Sequence, residues 1–156
     1  MSSVDEIPVA HTPNGGYGDV MPPPFLEQCD DPLVPDAPDM RGLWRAVTVE
    51  WANGAPPDPD PISEHVERIE QCGNRVCITS SGIVHDMRAD GTAENGVNDV
   101  AAGGGQAICV VCTFEDGVHT LRPAGLPGIE VTRRLEGDHL VWSYGPMFTA
   151  RLERVT

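Results

Sequence analysis

The chain has 156 residues, enough for one folded domain with a tail, and its 40% hydrophobic content lies slightly below the globular norm. Twenty-four acidic side chains against ten basic ones give a formal net charge of −14, which excludes nucleic acid and anionic membrane surfaces as expected partners, since both call for local positive charge, and no apolar run approaches the length that membrane insertion needs. All ten basic residues are arginines, so lysine nucleophiles and Schiff bases are excluded as well.

Residues 1–40 hold eight prolines, eight acidic side chains and no arginine, including Met21-Pro22-Pro23-Pro24 and Asp30-Asp31-Pro32. Proline removes backbone donors and like charges repel, so the segment reads as an acidic arm that is extended or disordered. An alternative is a strap or lid across the following domain, with Met21, Phe25, Leu26 and Leu33 as its apolar contacts and Phe25-Leu26 as the anchor.

From Arg41 the pattern changes to short runs that alternate apolar and polar residues between turn signals, which predicts a β domain over 41–156. The first strand is Leu43–Ala52, ended by Asn53-Gly54 and the prolines of 56–61. Gly73-Asn74 predicts a hairpin between 64–72 and 75–81, although Ile62, Val66 and Ile69 also fall at helical spacing. Gly82 leads into 83–89, Asp90-Gly91 turns the chain into 92–100, and Gly103-Gly104-Gly105 precedes a strand over 108–115. Asp116-Gly117, Gly137-Asp138 and Gly145-Pro146 then separate the last runs, which end in Phe148–Val155. Eight to ten consecutive antiparallel strands close most readily into an up-and-down β-barrel, which removes exposed edges; a sandwich is the alternative all-β arrangement.

The first strand opens Asp39-Met40-Arg41-Gly42-Leu43-Trp44, and the chain ends in hairpins running from Thr132 to Trp142 and from Thr149 to Arg154. This Gly-x-Trp start and these closing hairpins resemble the calycin superfamily, the lipocalins and fatty-acid-binding proteins. The resemblance covers residues 40–155 and implies a barrel plugged at one end by Trp44 that holds a small hydrophobic ligand, with Arg151 of the final strand as a carboxylate contact. The helical lid that fatty-acid-binding proteins insert after the first strand is absent here or reduced to 53–66. The usual arginine-x-tyrosine of the last strand reads Arg151-Leu152-Glu153.

Candidate chemistry follows from strand alternation. Ile83, His85 and Met87 share a face, with Asp86 and Arg88 opposite; facing inward, His85 is a candidate acid–base group or else a satisfied core histidine, and Glu94 is the alternative acid–base group. Arg133 shares an apolar face with Ile129, Val131 and Leu135, where it either anchors a ligand carboxylate or reaches water at the barrel end. Leu140, Trp142 and Tyr144 line one face as core or pocket wall.

The five cysteines (29, 72, 77, 109 and 112) form an odd set with no signal peptide, which reads as reduced thiols in a cytoplasmic protein. Cys109 and Cys112 fall on opposite strand faces, so neither a metal nor a redox pair is expected, and no motif calls for a cofactor. The sequence therefore predicts a cytoplasmic binding protein for a small hydrophobic molecule, with or without a carboxylate. Trp44, Met87, Trp142 and Tyr144 are its candidate walls and Arg133 or Arg151 its anchor, with homodimerisation left open. The alternatives are a cofactor-independent isomerase, cyclase or lyase in the same cavity, and a docking protein that works through its acidic arm.

Overall fold

A computed structural model describes residues 3–13, 15–101 and 107–155, the side chains of 97–101 and 107–108 excepted. Ten strands follow one another among the described residues: β1 (Gly42–Trp51), β2 (Val66–Cys72), β3 (Arg75–Ser80), β4 (Ile83–Arg88), β5 (Val97–Ala101), β6 (Ala107–Glu115), β7 (Val118–Pro123), β8 (Glu130–Glu136), β9 (His139–Gly145) and β10 (Phe148–Arg154). All pairings are antiparallel in the order β4-β3-β2-β1-β10-β9-β8-β7-β6-β5. The first and last strands thus pair along seven register positions, and the sheet curls into a nearly closed up-and-down barrel.

The two sheet ends are β4 and β5. Arg88 N–H of β4 bonds to the Asn95 carbonyl (2.7 Å) on their connection just ahead of β5, while the Asp90↔Thr113 bridge and the bond from Gly91 N–H to the Cys112 carbonyl (3.0 Å) tie that connection to β6. The predicted Gly103–Gly105 loop lies outside the described residues.

Local chemistry sets the turns. Asp116 and Gly117 both take positive φ (52° and 79°), the conformation whose twist matches a two-residue hairpin between right-twisted strands. The helix alternative for 62–72 does not form, because Glu67, Ile69 and Gln71 alternate inward in β2 and pair with β1 and β3. No helix replaces the lid between β1 and β2. There, Asp60 accepts the backbone N–H groups of Ile62 and Ser63 (2.8 and 3.2 Å) and the Trp51 indole N–H (2.9 Å), building a compact loop. Among the described residues, no helix is long and apolar enough to cross a membrane.

The arm runs along the outer face of β2, β3 and β4. Val4 and Leu26 bury against Cys72, Cys77 and Val84, with Ile7, Ala10, Tyr17 and Phe25 alongside, forming a second core outside the barrel. Met21 stays exposed and Leu33 is half-buried. Arm prolines cannot donate, but their carbonyls accept, and the barrel supplies the donors. Arg75 donates to the carbonyls of Val4, Ile7 and Pro8 while pairing bidentately with Asp86 (2.9 and 2.6 Å); Arg68 donates to Pro22 and Pro23. In the other direction, Asp86 and Glu70 accept the N–H groups of Ala10, Phe25 and Leu26. Tyr17 N–H reaches the Gly82 carbonyl at 2.8 Å, and a Cβ on Gly82 would sit 2.8 Å from the Gly18 carbonyl oxygen, so glycine is what lets the two backbones meet.

A disulfide joins Cys29 of the arm to Cys72 at the end of β2. This corrects the expectation of five reduced thiols. Folding the arm back brings two cysteines 43 positions apart to a Cα separation of 6.2 Å, inside the range a bridge needs, and it accounts for the odd count by leaving three free. Disulfides persist in oxidising compartments, so the cysteine argument for a reducing cytoplasm no longer applies.

Candidate ligand cavity

Charge crosses the barrel lumen as well as hydrocarbon. Arg133 faces inward on β8 and Glu67 faces inward on β2, strands separated in the sheet by β1, β10 and β9. The two side chains meet across the interior: Nε donates to Oε2 at 2.8 Å and Nη2 to Oε1 at 2.9 Å, with side-chain exposures of 6% and 0%. His65, just before β2, contacts Glu67 Oε1 through Nε2 at 2.7 Å. Its Nδ1 faces Ser80 Oγ at 3.4 Å, but that hydroxyl donates to the Val66 carbonyl at 2.8 Å, so Ser80 is not aligned as a nucleophile. Trp142, opposite Arg133 in the β8–β9 register, places its ring 4.9 Å from the guanidinium and packs on His65 at 4.5 Å.

Burial on its own pushes the Glu67 carboxyl up. Attraction to Arg133 and hydrogen bonds from His65 and Arg133 outweigh that cost and hold it at about 2, so Glu67 is ionised. His119, beside Arg133 on β7, goes the other way: burial first and then repulsion from Arg133 drop it to about 3, partly offset by Glu67. Its Nε2 lies 3.1 Å from Cys112 Sγ, and its Nδ1 is buried without a partner among the described residues. Burial, then Asp90, lifts the Cys112 thiol to about 12. This pair is therefore a neutral thiol and a neutral imidazole, unlike the thiolate–imidazolium of a nucleophilic cysteine.

On one side of the Glu67–Arg133 crossing lies a cavity of about 170 Å³. Ile78, Met87, Leu121, Val131, Trp142 and Tyr144 contribute its apolar wall, with Arg133 and His85 as its polar members. Of the sequence-predicted residues, His85, Met87, Arg133, Trp142 and Tyr144 are thus brought together. Trp44 is fully buried elsewhere: its indole N–H donates to the Met40 carbonyl at 2.8 Å and Arg154 covers its ring at 4.5 Å, so it packs the core without lining this cavity. Arg151 is a correction. Phe148, Ala150 and Leu152 point inward from β10, which turns Arg151 outward, where it pairs with Glu136 at 2.9 Å.

Glu94 is exposed on the β4–β5 connection and lines a separate outer cleft of about 410 Å³ with Asp5, His11, Asp86 and Arg88. Met87 borders both spaces. Among the described residues, none from the arm lines the inner cavity, and the arm's contacts are with the outer face of β2–β4. Cys29, Asp31 and Cys72 gather within 4.8 Å, but both sulfurs are spent in the disulfide.

Sequence reading missed Glu67 and His65. The signal was present in the alternation itself: once 66–72 is a strand, Glu67 shares a face with Ile69, as Arg133 does with Val131. Two buried opposite charges on facing strands are then each other's natural partners.

No family model matches the sequence, and no curated protein is similar to it. Solved structures are similar in fold. Human cRBP IV superposes with a TM-score of 0.55 at 19% identity, covering 75% of this chain and 98% of that one. The zebrafish ileal bile-acid-binding protein complexed with cholic acid gives 0.56 at 18%, covering 74% and 98%. A mutant of the REP1-NXSQ fatty acid transporter gives 0.53 at 15%, covering 75% and 98%. Each neighbour is matched over nearly its whole length, and the quarter of this chain left over is about the size of the arm. These likenesses, with the ten-strand order, establish the fold as a calycin-type β-barrel.

Proposed function

We propose that the protein binds a small, largely apolar molecule inside its barrel, with Arg133 as the polar contact and Met87, Trp142 and Tyr144 as walls. The observation that carries this reading is the apolar cavity on the Glu67–Arg133 crossing, a partly open recess with a charged group at one edge. A bile-acid-binding protein and a fatty acid transporter have barrels of this shape, which supports it.

Volume narrows the class. Sites for drug-sized ligands run from about 300 Å³ upward, whereas an apolar cavity of about 150 Å³ accepts benzene. At about 170 Å³ the present cavity suits one ring with a short substituent, or a chain of similar bulk, and is too small for a steroid. Native mass spectrometry of protein purified from its own host tests the reading directly: a co-purifying species of one-ring size supports it. No bound species, together with no thermal shift across a panel of one-ring and short-chain compounds, overturns it.

A further inference from the structure

We propose that the cavity selects a ligand whose polar end is a neutral hydrogen-bond acceptor, such as a ketone, aldehyde or ester carbonyl, and discriminates against free carboxylates. This rests on the binding reading above and names the class of ligand for the same site.

Glu67 occupies Nε and Nη2 of Arg133 in a two-point contact, so Nη1 is the nitrogen turned away from that carboxylate. The Trp142 ring lies over the guanidinium, its centroid 4.9 Å from the central carbon. The side chain borders the cavity with 6% of its surface exposed. Arg133 lines the cavity with Nη1 as the nitrogen that Glu67 leaves over, and its charge is already balanced within the lumen. A carbonyl can accept from it without disturbing the pair. A carboxylate would either place a second anion on one buried guanidinium or displace Glu67, leaving that carboxylate buried with only His65. His85 lines the same cavity and His65 touches the far side of Glu67, so the measurement belongs at pH 8, where an ordinary histidine is uncharged.

Three probes of similar bulk separate the possibilities: ethylbenzene, acetophenone and benzoate, titrated calorimetrically into the full-length protein at pH 8. The wild type is expected to bind acetophenone about tenfold or more tightly than both others. Any oily pocket disfavours benzoate, so the deciding variant is Glu67→Gln, which keeps the volume and uncovers the charge of Arg133. There benzoate should overtake acetophenone.

If that variant does not fold, the double replacement Glu67→Leu with Arg133→Leu removes the acceptor site while filling the lumen. It should bind ethylbenzene at least as well as acetophenone. The proposal is overturned by benzoate equalling acetophenone in the wild type, or by an acetophenone preference that survives in either variant. Binding of ethylbenzene and acetophenone with equal strength in the wild type overturns it too, while leaving the cavity reading standing. Binding of none of the three overturns the cavity reading and this inference together.

Discussion

Arg133 and Glu67 show how much one residue's meaning depends on its opposite number. Either alone in the lumen would be an unpaired charge in a low-dielectric interior; together they satisfy each other, with His65 and Trp142 as flanking support. Removing one partner of such a pair typically costs about 3–5 kcal/mol, whereas replacing both with well-packed apolar residues is often neutral or stabilising. Arg133→Leu should therefore lower the urea-unfolding free energy by about 3–5 kcal/mol, and Glu67→Leu added to it should recover most of that loss. A double variant as unstable as the single one would mean that the crossing acts through something other than charge pairing. The same logic separates Arg133 from Arg151, whose pairing with Glu136 in solvent makes no demand on the interior.

At the scale of elements, the arm is the part whose composition is least informative about its placement. Proline and acid exclude helix and sheet interior, yet they leave carbonyls and a few apolar side chains that another surface can use. The outer face of β2–β4 is that surface, with Arg75 reaching three arm carbonyls and Glu70 accepting two arm N–H groups. The Cys29–Cys72 bridge closes a loop of a size for which chain-entropy estimates give about 4 kcal/mol of stabilisation. Replacing both cysteines by serine should cost about 2–4 kcal/mol in chemical denaturation and raise hydrogen exchange first around Leu26–Asp31, next to the lost bridge. Unchanged exchange there would show that the backbone contacts alone hold the arm.

For the whole molecule, acid stability follows from the two most strongly shifted buried groups outside the thiols. Glu67 titrates at about 2 in the fold against 4.5 as its ordinary value, and His119 at about 3 against 6.5. Both are depressed, so the unfolded chain takes up protons before the folded one does. Their contribution is present in full above about pH 6.5, falls as His119 of the unfolded chain protonates, falls further below 4.5 as its Glu67 does, and is gone below about pH 2. Unfolding free energy measured from pH 7.5 to 4 should drop by a few kcal/mol, with His119→Leu removing most of the slope above pH 5. A flat profile between pH 6.5 and 4 in the wild type would show that neither group is sequestered as described.

Periodicity and turn chemistry determined most of the architecture: period-two alternation after Arg41, glycine and asparagine or aspartate pairs between runs, and Gly42-x-Trp44 at the start of the first strand. These are local facts, since a strand's two faces and a turn's φ angles depend on neighbours one to three residues away. The inward placement of His85, Met87, Arg133, Trp142 and Tyr144 followed from the same alternation. Only the tertiary structure decided what those residues meet. That Arg133 faces Glu67 and not an empty lumen, that Cys29 finds Cys72, and that Arg75 reads the arm's carbonyls are contacts between segments 43 to 71 positions apart. Closure of the barrel across its lumen and the path of the arm create such contacts, and no local pattern encodes either.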